Sequence, residues 1–261
     1  MKRRAFVMMH RREPYPHPQF DQGFARLGFD VFHEMPKQIE PSDVLLTWNR
    51  MGVRNSYAQA FSLKGAPVIV AENGWIGKSN DGGKFYALCL DHHNGPGRWF
   101  VGEGDRFSKV RFDLRPWRKK GRHVLVLCSR GIGEPGIAQP KDWPIEIARR
   151  LHEITDRPIK VRLHPGDKGA SMDEDLAGAH ACVTWASGSA IKALAAGFPI
   201  FYQLSNWIGA SASVLGVDDL ESPFLGDRLP TFQRLAWAQW TSAEIATGTP
   251  IEWLLKSRSM E

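Results

Sequence analysis

Short apolar runs rich in β-branched and aromatic residues, each followed by a turn and often by a helical stretch, recur along the 261-residue chain. No other feature limits the fold as tightly. In the first half the runs lie near 5–9, 29–33, 43–48, 67–71 and 85–90, with helical periodicity near 19–27 and 54–63. The pattern restarts with strands near 123–128, 159–164, 181–185 and 199–203, and helices near 143–154, 172–178 and 188–196. Strands this apolar need cover on both faces. The alternation therefore predicts parallel sheets of the doubly wound α/β class.

A repeat sharpens this. GAPVIVAENGWIG at 65–77 aligns without a gap on GFPIFYQLSNWIG at 197–209, matching Gly65, Pro67, Trp75, Ile76 and Gly77 to Gly197, Pro199, Trp207, Ile208 and Gly209. Thr47-Trp48 ends the strand before the first copy, and Thr184-Trp185 the strand before the second. Two similar α/β units follow, residues 1–115 and residues 116–230, with a separate C-terminal helical segment at 231–261. The tail predicts a helix over 231–246, ended by Gly248, and a short helix after Pro250.

A hydrophobic content of 43% with 24% charged residues is that of a soluble globular protein. No apolar run approaches the ~20 residues of a membrane span, and the apolar stretch after Met1 is too short for a signal peptide. The expected location is the cytoplasm, or the host-cell cytoplasm for a phage-encoded protein. Cys89, Cys128 and Cys182 are scattered through apolar runs, which predicts reduced core thiols and no metal site. The net charge of +6 concentrates in KRR and HRR near the N-terminus and in RPWRKKGRH at 115–123. Such charge suits a polyanion, an anionic surface or a phosphorylated substrate.

In open parallel sheets, ligands bind beyond the carboxyl ends of the strands. In the second half those positions hold three candidate groups. Ser129, Arg130, Gly131 and Gly133 form a small-residue turn with a phosphate-pairing arginine. Arg162 and His164 end the next strand. Trp185, Ser187, Gly188 and Ser189 open an otherwise apolar helix, where hydroxyls and free amides favour an anion. Together they suit a diphosphate or a nucleoside phosphate. The acidic run 173–175 reads instead as the first turn of a helix.

In the first half, Glu72-Asn73-Gly74 and His93-Asn94-Gly95 each hold an ionisable residue before a sharp turn. A general base needs such a fixed place, and Glu72 leads because the second copy has Leu204 there. His93 is the other candidate, with Asp91 in support. Asn73, Trp75, Asn94, Arg115, Arg118 and Lys119 are the expected acceptor contacts, with Trp75, Trp99 and Trp117 available to stack on a base.

VRLHPG followed by DLAGAHACVTWASGSAIKALAAGFPIFY resembles the donor motifs of bacterial capsule and lipopolysaccharide transferases of the GT-B fold. The resemblance implies two Rossmann-like domains facing a cleft, with C-terminal helices crossing back. It implies that His164, Ser187 and Ser189 bind the phosphate and ribose of a nucleotide sugar, a UDP-sugar being the expected donor. No metal or other cofactor is expected. Lys192 stands where many GT-B enzymes carry a ribose-binding glutamate. Phage DNA glycosyltransferases share the fold, and the basic charge points to a hydroxymethylated pyrimidine in DNA as acceptor. The alternatives are a capsule or lipopolysaccharide glycosyltransferase, a non-catalytic DNA-binding protein, and an epimerase.

Overall fold

The computed structural model describes residues 3–79, 81–92, 97–111, 113–164 and 171–259, and divides into two units, each with its own main sheet. The first comprises the described residues of Met1–His93, Gly97–Arg111 and Phe232–Glu261; the second is chiefly Phe112–Thr231. In chain order the first opens with β1 (Arg4–Met8), α1 (His17–Arg26), β2 (Asp30–Phe32), β3 (Val44–Trp48) and α2 (Val53–Leu63). It continues through β4 (Val68–Asn73), β5 (Lys78–Ser79), β6 (Phe85–Leu90) and β7 (Val110–Arg111). The second holds β8 (His123–Leu127), α3 (Trp143–Ile154), β9 (Ile159–Arg162), α4 (Met172–Leu176), β10 (Ala179–Thr184), α5 (Gly188–Ala195), β11 (Ile200–Tyr202) and β12 (Val214–Leu215). Within α6 (Leu229–Ala236) the chain passes back to the first unit, ending with β13 (Gln239–Thr241), α7 (Ser242–Thr247) and α8 (Thr249–Arg258).

The first sheet has the order β13-β6-β4-β3-β1-β2 and the second β12-β11-β10-β8-β9. Four neighbours match strand for strand: β4-β3-β1-β2 and β11-β10-β8-β9 are all parallel. The Gly-x-Pro part of the sequence repeat is thus a repeat of structure, down to its hydrogen bonds, whereas the Trp-Ile-Gly ends differ, with φ of 81° at Gly77 and -86° at Gly209. After α2, Ala66 N–H donates to Phe61 O at 3.1 Å and Gly65 N–H to Ser62 O at 2.9 Å; after α5, Phe198 N–H donates to Ala193 O at 3.0 Å and Gly197 N–H to Leu194 O at 3.2 Å. Both are left-handed helix ends, with φ of 71° at Gly65 and 90° at Gly197. The threonines match too. Thr47 Oγ1 donates to Met8 O at 3.4 Å and Thr184 Oγ1 to Leu127 O at 3.0 Å, each tying a strand to the last residue of its central neighbour.

The first sheet departs from the expected all-parallel form. β6 runs antiparallel to β4 and β13 antiparallel to β6. The sharp turn expected at Asn73-Gly74 is not formed: Asn73 ends β4 paired with Tyr86, neither residue takes positive φ, and Gly74 N–H bonds Phe85 O at 3.0 Å, so the ladder runs on past the pair and the chain returns beside β4 instead of crossing over a helix. The single tail helix expected over 231–246 is also corrected, because β13 interrupts it. Gln239 accepts from Trp75 N–H at 3.1 Å and donates to Ile76 O at 2.8 Å, stitching β13 to the loop after β4. Thr241 and Glu244 then form a reciprocal capping box that starts α7.

Strand residues alternate between two apolar layers, as the pleat requires. Ala5, Val7, Leu46, Ile69 and Ala71 pack with Phe20 and Phe24 of α1 and with Ile245, Ile251 and Leu254 of the tail. Phe6, Leu45, Val68 and Val70 pack on the other side with Ala58 and Phe61 of α2. The tail thus covers one face of the first sheet. In the second unit Trp143, Ile147 and Leu151 of α3 cover Val124, Val126, Ala181 and Val183, while α5 packs on β10 and β11. All three cysteines are buried and unbridged, and burial raises each thiol above its ordinary pKa. Among the described residues no helix is long and apolar enough to cross a membrane.

Candidate functional site

β8 hands the chain to β9 on one side, and β10 hands it to β11 on the other, so the strand order reverses between β8 and β10. A crevice forms beyond the carboxyl ends of two strands that part in this way. The turns that border it are those singled out above. Ser129 donates from N–H and Oγ to Gln139 Oε1 at 2.8 and 3.3 Å, while Gly131 and Gly133 take positive φ of 64° and 130°. Trp185 Nε1–H donates to Ile137 O at 2.8 Å, and its ring meets Trp143 edge-on at 6.1 Å, bracing the same loop.

The helix end is built from hydroxyls. Thr184 Oγ1 accepts from Ser187 N–H at 2.9 Å, and Ser187, 7% exposed, caps α5 by accepting from Ser189 N–H at 3.2 Å. The Ser187 and Ser189 hydroxyls lie 2.8 Å apart. No acidic residue sits in the first turn of α5, so its dipole favours negative charge there. Lys192 is exposed further along the helix.

Arg130 Nε–H points to His164 Nδ1 at 3.4 Å, linking the turn after β8 to the end of β9. In that contact Nδ1 accepts, since a guanidinium only donates. Partial burial, then Arg130 and Arg162, hold His164 below its ordinary pKa. Arg162 itself pairs with the Asp175 carboxylate of α4, so the acidic turn of that short helix also anchors the arginine. Ser171 Oγ caps α4 by accepting from Asp173 N–H at 3.2 Å.

The first-half candidates are dispersed. Glu72, near the C-terminal end of β4, accepts from the N–H and Nδ2 of Asn73 at 2.9 and 3.2 Å, and Lys84 Nζ holds Asn73 Oδ1 at 2.6 Å. Asp91 follows the antiparallel β6, so its N–H bonds Val68 O at 2.9 Å at the other end of β4, and its carboxylate meets Arg98 Nε at 2.5 Å. The structure does not bring Glu72 and Asp91 together. His93 and Asn94, like Pro165 and Gly166, lie outside the described residues. Trp75 is 3% exposed and edge-on to Trp99, so it is a core residue rather than an open stacking surface.

The basic run also lies away from the donor turns. Arg115 N–H bonds Ala195 O at 2.9 Å and Arg118 N–H bonds Gly197 O at 2.7 Å, at the C-terminal end of α5. Ser187 and Ser189 stand at its N-terminal end. Lys119 follows, exposed, just before β8. Trp117 is occupied in fastening this segment: Nε1–H donates to Gly226 O at 2.9 Å, and the Arg228 guanidinium covers its ring at 4.4 Å. Among the described residues, no three His, Cys, Asp or Glu side chains are grouped to hold a metal ion.

Two solved structures share this architecture. The chain is similar to Thermosulfurimonas dismutans KpsC, beta Kdo 2,7 transferase, at 12% identity and a TM-score of 0.51 over 95% of this chain and 99% of that one. It is similar to Thermosulfurimonas dismutans KpsC, beta Kdo 2,4 transferase, at 13% identity and a TM-score of 0.52 over 91% of this chain and 92% of that one. The fold is GT-B-like. No protein-family model and no curated protein matches the chain. Within this GT-B-like fold, sequence reasoning missed Gln139, which organises the Ser129 turn from ten residues away. It also missed His10 and Arg54, which meet at 2.7 Å beyond β1 and β3. Neither carries a local motif.

Proposed function

We propose that this protein is a glycosyltransferase that binds a nucleotide sugar at the switch point of the second unit and transfers the sugar to a saccharide hydroxyl. The observation that carries the reading is the Arg130–His164 pair beside a helix opened by Ser187 and Ser189. Each group has a role in stabilising a departing nucleotide. With Nδ1 turned to Arg130, His164 presents Nε2–H to a phosphate oxygen. Arg130 supplies charge, and the hydroxyls and amides at the start of α5 supply further donors. Aimed where negative charge develops, such groups lower the barrier to breaking the sugar–phosphate bond. Glu72 is the proposed general base for the acceptor hydroxyl, with its carboxylate oriented by Asn73.

A saccharide acceptor is supported by the likeness to two Kdo transferases and by the place of the basic run. A DNA acceptor rests on Arg115, Arg118 and Lys119 reaching the polyanion, and these border the end of α5 remote from Ser187. The test is transfer itself, with UDP-, GDP- and CMP-sugars, CMP-Kdo included, offered alongside saccharides and a duplex bearing 5-hydroxymethylcytosine. Product is read by intact mass. Mass gain on a saccharide is the expected result, and Glu72→Gln should abolish it while retaining donor-induced thermal stabilisation. Gain on the duplex alone would move the acceptor to DNA. Neither gain nor stabilisation by any donor would overturn the transferase reading.

A further inference from the structure

The duplication creates a second switch point. β1 hands the chain to β2 and β3 hands it to β4, so the first sheet opens a crevice beyond Met8 and Trp48, the counterpart of the one between β8 and β10. The correspondence extends to side chains. Arg11 stands three residues beyond β1, as Arg130 stands three beyond β8, and it too meets a histidine beyond the next strand, Nη1 lying 3.0 Å from His33 Nδ1. Here Asp21 of α1 offsets the charge, at 2.9 Å from Arg11 and 3.6 Å from His33.

The neighbouring groups are not offset. Arg54, in the first turn of α2, donates from Nη2 to His10 Nε2 at 2.7 Å. Tyr15 packs between His10 and Trp48, with ring centroids 4.9 and 5.0 Å away, and fixes the imidazole. Arg12 is close enough to bear on His10 electrostatically. Among the described residues no carboxylate pairs with Arg54 or Arg12, and α2 starts without a side-chain cap or an acid in its first turn. One imidazole nitrogen accounts for only part of a guanidinium's five N–H donors. What remains, among the described residues, is a set of positively charged donors beyond two parallel strand ends with no carboxylate bonded to them.

We propose that the crevice between the ends of β1 and β3 binds a phosphoryl group through Arg54, His10 and Arg12. Oxygens of the phosphoryl group would take the outward N–H groups of Arg54, and His10, released as Arg54 turns to the anion and exchanging its Nδ1 proton with solvent for one on Nε2, would donate to another. The site goes beyond the donor site and does not need the transferase reading to hold.

The test follows the imidazole Cε1–H signals of the intact protein by NMR as inorganic phosphate replaces chloride at constant ionic strength, with His10→Asn and His164→Asn for assignment. Phosphate should move the His10 signal saturably, and Arg54→Ala should weaken that response about tenfold, the loss expected for one charged hydrogen bond. Arg12→Gln, an exposed change that leaves the fold alone, should weaken it as well. A His10 signal that does not respond, that responds in both variants as strongly as in the unchanged protein, or that acetate moves as far as phosphate would overturn the proposal. The His164 signal in the same spectra reports the donor site, so the failure of one reading is distinguishable from the failure of the other.

Discussion

His164 receives its hydrogen bond from a cation, and that decides what it can do. Protonation would set imidazolium against Arg130 and Arg162, so partial burial and both arginines hold its pKa below the ordinary 6.5. At neutral pH the imidazole is neutral, suited to a phosphate that arrives with its own charge. Followed by NMR, His164 should titrate below 6.5, and Arg130→Gln should raise its pKa toward that value; no movement would separate the two side chains. The linkage has a definite sign. Between the lowered folded pKa and 6.5 the unfolded state binds the proton more readily, so this residue withdraws stability as pH falls through that window and none above it. These residues were legible because they stand at or just beyond strand ends: Arg162 ends β9, His164 lies two residues past it, and Arg130 lies three past β8. The partners that set their state were less so: Asp175, which holds Arg162, reads in sequence only as part of an acidic helix turn.

At the scale of elements, the two G-x-P entries provide an internal comparison. Gly65 and Gly197 both close a helix with positive φ, but a side chain at Gly65 would meet open space, whereas one at Gly197 would run into the Pro116 carbonyl. Gly65→Ala should therefore cost only the left-handed strain, about 1–2 kcal/mol. Gly197→Ala should cost clearly more, because the 115–118 backbone bonded to Ala195 and Gly197 must also shift. Urea denaturation of the two variants checks this, and equal losses would mean that the segment yields freely. The repeat in sequence announced these matched ends. The tail was read less well, because 231–246 has apolar positions at helical spacing while the Gln239 side-chain bonds that draw 239–241 into the sheet span 163 and 164 residues. The T-x-x-E signature at Thr241–Glu244 was visible, and it marks where a new helix begins.

For the molecule as a whole, the net charge of +6 can be separated from the chemistry. Composition reports how much charge a chain carries; the fold decides which end of a sheet receives it. Arg122 N–H bonds Gly178 O at 2.7 Å, so the run that looked like a polyanion contact enters β8 beside the start of β10, at the amino ends of those strands. The donor turns occupy their carboxyl ends. Replacing Arg115, Lys119 and Lys120 together by Gln should leave nucleotide-induced thermal stabilisation unchanged and remove non-specific duplex binding in proportion to the charges lost. The slope of log affinity against log salt should fall by about 0.9 for each phosphate contact removed. Binding isotherms at several salt concentrations, with thermal melts in the presence of donor, measure both quantities on one preparation. If donor stabilisation falls with the slope, the basic run reaches the nucleotide and the two ends of the sheet do not act apart. If the slope alone falls, the charge gathers polyanions generally, and selectivity belongs to the strand ends.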